Sequence, residues 1–397
     1  MSIISTDAAH AQNIPTPTVH WQEQGVEHSA PWRAENLGKA PARVQVVDDS
    51  LKADQAYRLA CEGTGLLWRG DFHNARQLLQ AMTRRLERKP PKTAADPTEA
   101  FHLHRQAQAQ RARVLGLLLI QLEPDYSIKL RRAPDVRLAC EQALGTDHAW
   151  SAEGCVMSLR ELQGLIGAYE WRRKGVSIPA LGGVIHPHYG VFSPVRGEYI
   201  DLVAQAPLPQ AFSAPSAKGM LAFDIGTGTG VLAAVLARRG VQQVLATDQD
   251  ERALACAQDN IQQLGLTDQV QVLKRDLYPE GRAALVVCNP PWIPAKANAP
   301  IEYAIYDPAS AMLQGFLQGL AAHLLPGGEG WLIMSDIAEH LGLRSRQTLL
   351  DMIAAAGLTV IERLDIKPRH GRAADSSDPL FKARAAELTS LWRLSAA

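Results

Sequence analysis

The sequence predicts an α/β protein: a seven-stranded, Rossmann-like sheet in the C-terminal half, preceded by a helical N-terminal domain. Three observations carry this. A short apolar strand, Leu221-Ala222-Phe223, runs into a glycine loop and then an apolar helix that begins at Val231. Further apolar strands follow, and successive ones end at Asp248, near Asp276 and at Asn289. An open parallel sheet collects its ligand at the carboxyl ends of its strands, so acids and amides placed there suit a binding crevice. Before residue 170 the apolar residues instead recur mostly at helical spacing.

The glycine loop reads Asp224-Ile225-Gly226-Thr227-Gly228-Thr229-Gly230. Glycines allow a tight turn and leave bare backbone against a ligand, and the helix that follows points free N–H groups at it. A dinucleotide fingerprint, G-x-G-x-x-G, would need glycine where Val231 stands. Here the third glycine comes one residue early and an acid precedes the first by two. That pattern resembles motif I of class I S-adenosylmethionine-dependent methyltransferases. The resemblance implies S-adenosylmethionine as cofactor, with contacts from Asp224, Gly226, Thr227, Gly228, Gly230 and Asn289. Asp248 ends the second strand, where an acid suits two ribose hydroxyls. Asp276 stands where that family contacts the adenine amino group.

Asn289-Pro290-Pro291-Trp292 follows the fourth strand directly. It resembles the Asn/Asp-Pro-Pro-aromatic motif of methyltransferases acting on planar nitrogens, namely amide side chains and exocyclic base amines. The lone pair of such a nitrogen is delocalised, so it is a poor nucleophile. The Asn289 side-chain oxygen and the Pro290 carbonyl can each accept a hydrogen bond from the NH2 group and aim it. Pro290 and Pro291 stiffen the loop, and Trp292 offers a flat face for stacking.

Composition is that of an ordinary globular protein, 46% hydrophobic and 21% charged. Lys+Arg and Asp+Glu both total 41, which argues against a chain-wide field for nucleic acid. Five scattered cysteines without a C-x-x-C pair read as free thiols. Histidines lack metal-ligand spacing, so no metal is expected, and no apolar run is long enough for a membrane span. A cytoplasmic monomer is the expectation.

In chain order, residues 1–48 read as an extended or partly disordered arm, with Val44 to Val47 docking as a strand. Residues 49–168 read as a helical substrate-recognition domain. Its helices are expected near 50–61, over 74–88, over 97–122, over 136–144 and over 159–170. Residues 69–113 hold ten Lys/Arg against four acids. This stretch reads as a solvated helix face, with a phosphate-facing surface for RNA as the alternative.

Residues 169–203 read as a β-hairpin linker and entry segment, with strands at 169–172, 176–178 and 184–185. Its Gly190-Val191-Phe192-Ser193 resembles the corresponding segment of ribosomal RNA guanine-N2 methyltransferases of the methyltransferase small-domain type. Pro194, Arg196 and Glu198 more loosely resemble a segment of the release-factor glutamine methyltransferases. Residues 204–397 would be the catalytic core. Its tail holds a helix over 309–324 capped by Asp307, a fifth strand over 330–334, and a last, antiparallel strand near 391–394. Tyr306-Asp307-Pro308 again resembles the glutamine methyltransferases. Phe192, Arg196 and Tyr306 are therefore substrate candidates.

The expected activity is methyl transfer from S-adenosylmethionine to a planar nitrogen, first of all a protein Gln/Asn side-chain amide. An RNA base amine is the alternative, followed by a small-molecule amine and a non-catalytic cofactor-binding adaptor. Trp292, where the glutamine family has Tyr, and Ser335-Asp336-Ile337, in place of its Glu-x-Gly, keep these open.

Overall fold

A computed structural model of the chain describes residues 17–35, 38–88, 93–146, 154–195, 197–213, 221–297, 300–369 and 375–397. Two large sheets organise it. The first has strands β1 (Thr18–Glu23), β2 (Val26–Arg33), β3 (Arg43–Val47), β4 (Thr64–Trp68), β5 (Leu118–Leu122) and β6 (Cys155–Ser158), in the order β1-β2-β6-β5-β4-β3. Strands β3, β4 and β5 are parallel, and β6 runs antiparallel to β5.

The N-terminal region is thus α/β and not helical, which corrects the expectation. The apolar run around Leu118 is the reason. Its helix stops at Leu115, Gly116 caps it, and Leu118 to Ile120 continue as a strand with both faces covered. A strand buried on both faces reads as a continuous apolar run, and periodicity cannot tell it from a buried helix. On one face Leu66, Trp68, Leu118, Ile120 and Met157 pack under helices; on the other, Leu67, Leu119 and Val156 meet Trp21 and Trp32 of the first hairpin. That hairpin, β1 with β2, occupies part of what the sequence suggested was an arm; residues 1–16 lie outside the described residues.

A helix over Leu159–Lys174 leads into the small antiparallel pair β7 (Val176–Ile178) and β8 (Gly183–Ile185). Tyr169 to Arg172 belong to that helix and not to a strand, as the sequence had suggested.

The second sheet has β9 (Leu221–Ile225), β10 (Gln243–Asp248), β11 (Val270–Lys274), β12 (Ala283–Cys288), β13 (Leu324–Ser335), β14 (Leu358–Ile366) and β15 (Thr389–Ala396). Its order is β11-β10-β9-β12-β13-β15-β14, with β15 antiparallel to both neighbours. This is the expected seven-stranded, doubly wound sheet. Strand β12 is buried throughout, as a central strand between two helical layers must be. Among the described residues no helix is long and apolar enough to cross a membrane.

The two sheets are joined by specific contacts. Thr98 Oγ1 donates to the Leu341 carbonyl at 2.9 Å, and Arg172 pairs with Asp259 at 2.9 Å. The Arg105 guanidinium lies 4.1 Å from the centre of the Tyr306 ring. A cleft of about 2480 Å³ runs between them.

Candidate active site

Sheet register builds the site. On β9, Ile225 is level with Thr247 of β10 on one side and with Cys288 of β12 on the other. The next residue on each strand therefore brings Gly226, Asp248 and Asn289 into one row across three adjacent strands. Neighbouring strands lie about 4.8 Å apart, so the row spans roughly 10 Å. All three line the cleft.

The glycine loop is held from beneath by Asp224, which is 1% exposed. Its Oδ2 accepts from Thr227 Oγ1 at 2.6 Å and from the Ala233 amide at 3.0 Å, while the buried Oδ1 has no hydrogen-bond partner. Burial pushes this carboxyl up to about 6, against those two hydrogen bonds. Gly226, Gly228 and Gly230 all have positive φ, 71°, 56° and 79°. A Cβ at Gly228 would meet no protein atom within 4 Å, whereas one at Gly230 would lie 3.2 Å from Ala257 Cα. Gly228 thus leaves room in the cleft, and Gly230 lets the loop rest on the helix Glu251–Gln263.

Asp248 Oδ2 accepts from the Gly228 amide and Oδ1 from the Asp250 amide, both at 3.0 Å. Each oxygen keeps acceptor capacity for a ligand hydroxyl. Burial raises the Asp248 carboxyl above its ordinary range.

Asn289 is half-buried and Pro290 buried at the cleft floor. Asn289 Oδ1 accepts the Trp292 indole N–H at 2.9 Å. The loop beyond is tied back by a parallel bridge between Ile293 and Tyr306. Asp307 then caps the helix Ala311–His323, its two oxygens accepting the Met312 and Leu313 amides.

Arg344, 52 residues beyond Trp292 and only 7% exposed, donates to the Trp292 carbonyl at 3.1 Å and to Ser310 Oγ at 3.2 Å. Sequence reasoning missed it. Nothing local marks Arg344, because its partners lie on other loops.

Of the residues expected from the sequence, Phe192, Gly226, Thr227, Gly228, Asp248, Asn289, Pro290, Pro291, Trp292 and Tyr306 all line the cleft. Asp224 and Gly230 do not; they shape the loop from behind. Thr227 spends its hydroxyl on Asp224. Asp276 is exposed and outside the cleft wall, where Arg275 and Leu277 stand instead. The positive φ of Leu277, 64°, turns the chain there. Tyr306 has the Arg105 guanidinium over one face of its ring. Arg196 lies outside the described residues. Among the described residues no group of His, Cys, Asp and Glu is arranged to hold a metal ion.

The strand order, with its antiparallel seventh strand, and a glycine loop beside an Asn-Pro-Pro turn define a class I S-adenosylmethionine-dependent methyltransferase fold. Residues 183–354 match the methyltransferase small domain family. The release factor glutamine methyltransferase of Cereibacter sphaeroides is 31% identical over 176 residues, 41% of this chain and 58% of the relative. The ribosomal protein L11 methyltransferase of Pelotomaculum thermopropionicum is 37% identical over 148 residues, 36% of this chain and 40% of the relative. The chain thus spans about half the length of the curated relatives it matches. A solved methyltransferase from Pyrococcus furiosus superposes with a TM-score of 0.38 at 20% identity, over 60% of this chain and 99% of that one. At that score it adds nothing to the strand order.

Proposed function

We propose that this chain is an N-methyltransferase that transfers the methyl group of S-adenosylmethionine to a planar nitrogen, most readily a protein Gln or Asn side-chain amide. One observation carries the reading: register sets Gly226, Asp248 and Asn289 in a single row at the cleft floor. The residues fit the cofactor. Gly226 and Gly228 leave bare backbone, and Asp248 keeps acceptor capacity for the two ribose hydroxyls at one end of the row. When bound, S-adenosylmethionine supplies the sulfonium methyl.

At the other end Asn289 Oδ1 and the Pro290 carbonyl accept hydrogen bonds from the amide NH2 and turn its nitrogen toward that methyl. With the cofactor bound, its methyl would pass to this nitrogen, and the methylated nitrogen would give its extra proton to solvent. The residues contribute by positioning, with reacting atoms about 3–3.5 Å apart, and by stabilising charge that grows on nitrogen.

The protein amide is favoured over an RNA base for two reasons. The relatives are named for release-factor and ribosomal-protein methylation. In the basic stretch over 69–113, Arg69, Arg85, Arg105 and Arg111 are paired with Glu23, Asp54, Glu302 and Glu87. Such pairing cancels much of the field that would draw phosphate. Five unpaired cysteines, four of them buried, suit a reducing cytoplasm.

The test incubates the protein with labelled S-adenosylmethionine and a lysate of its host. Label that survives ribonuclease but not protease is expected, and the reverse would establish the RNA reading. Asn289→Ala should lower turnover by about a hundredfold or more while cofactor affinity is kept. Unchanged turnover would remove Asn289 from the mechanism.

A further inference from the structure

An asparagine clamp has a weakness that a carboxylate lacks. Its oxygen and nitrogen are nearly the same size, so the amide can turn over. Turned over, Asn289 would present N–H donors to the N–H donors of an incoming amide, and the clamp would repel its substrate. Some group must therefore hold the oxygen forward.

The indole N–H is a donor with no acceptor capacity, and it sits 2.9 Å from Asn289 Oδ1. It can bind only the oxygen of that amide. A carbonyl oxygen has two acceptor sites, so one stays open to the substrate. The indole is itself fixed. It is half-buried and packs beside the apolar cluster of Phe101, Ile337 and Leu341. Its own carbonyl is held by the buried Arg344, which also bonds Ser310.

We propose that Trp292 is a positioning residue: its indole N–H sets the orientation of the Asn289 amide, so that Oδ1 faces the acceptor nitrogen. This gives the tryptophan a task that a phenylalanine ring, which has no N–H donor, cannot perform. The inference rests on the acceptor clamp proposed above.

Two measurements test it on the full chain. In the first, the Trp292 indole proton is identified in the NMR spectrum by its loss in Trp292→Phe, and its exchange with solvent is followed. Exchange should speed up about tenfold in Asn289→Ala, as expected for loss of one hydrogen bond. An unchanged rate would overturn the proposal.

The second is a double-mutant cycle, read as methyl transfer from labelled S-adenosylmethionine to lysate of a host strain lacking this chain. Trp292→Phe should lower turnover about tenfold with cofactor affinity unchanged. In Asn289→Asp both carboxylate oxygens accept and orientation no longer matters, so adding Trp292→Phe should cost less than about twofold. Equal losses in the two backgrounds would mean that Trp292 only packs, and would overturn the positioning role. Should Asn289→Ala retain full turnover, the clamp itself falls, and this assignment with it. Asn289→Ala inactive with equal Trp292→Phe losses would leave the clamp standing and sink only the inference.

Discussion

Asp224 shows how much of the site depends on the surroundings of one carboxyl. The residue is buried under the glycine loop, and burial lifts it to about 6 while the nearby Asp248 adds to the rise. Its unfolded value is near 3.9, so from about pH 4 to about pH 6 the folded chain holds a proton that the unfolded chain has released. Stability should therefore fall as pH rises through that window, by at most about 3 kcal/mol. Binding of a cationic cofactor favours the ionised form, so its affinity should rise with pH through about 6. Thermal unfolding and calorimetric titration across that range check both slopes, and Asp224→Asn should flatten them. A cofactor affinity independent of pH in the native chain would show that the Asp224 charge does not reach the ligand.

Among elements, the turn between β9 and the helix Val231–Arg238 separates two uses of glycine. Gly228 and Gly230 both have positive φ, which costs any L-residue about 1–2 kcal/mol. At Gly228 that should be nearly the whole cost to folding, because a Cβ there meets no protein atom. Gly228→Ala should consequently unfold close to the native chain yet bind S-adenosylmethionine at least about tenfold more weakly, since the methyl group projects where ligand must lie. At Gly230 a Cβ presses on Ala257, so Gly230→Ala should add a packing penalty of about 1–3 kcal/mol to the backbone cost. Denaturant titration and equilibrium dialysis on the two variants should give opposite orders of damage. If both variants lose stability equally, Gly228 is structural and the ligand space lies elsewhere.

For the molecule as a whole, the decisive feature is that the N-terminal region reaches the side of the cleft formed by the loop after Asn289-Pro290-Pro291-Trp292. The helix Pro97–Leu115 sends Thr98 to the Leu341 carbonyl and Arg105 over Tyr306. Tyr306 is bridged to Ile293, the residue after Trp292. A cation stacked on an aromatic ring away from bulk water is worth about 1–2 kcal/mol. Arg105→Ala should loosen this brace, raising the KM for the acceptor about tenfold while S-adenosylmethionine affinity stays within twofold, roughly as that energy implies. Steady-state kinetics with the labelled lysate fraction separates the two. Loss of cofactor binding instead would mean that the brace supports the whole core.

The second sheet and the loops that line the cleft at its carboxyl edge were legible in the sequence because they are written locally. Strand, glycine loop and helix follow one another without interruption. Asp248 and Asn289 announce themselves by ending apolar strands, and Asn-Pro-Pro-Trp is a contiguous turn. Asp276 was misplaced by the same logic, since Leu277 turns the chain after β11 and leaves that carboxylate outside the cleft. What the sequence by itself determined was therefore the class of the second sheet and the turns, Gly226 to Gly230 and Asn289 to Trp292, at its carboxyl edge. Only tertiary structure decided the rest. The first sheet was hidden because strands β4, β5 and β6, covered on both faces, carry no alternation to betray them. Arg344 on the Trp292 carbonyl and Arg105 on Tyr306 were hidden because each contact joins residues 52 or more positions apart. The Trp292 bond to Asn289 spans three residues, yet it too depends on how packing orients the indole. Such pairings are set by packing between layers, and no local period records them.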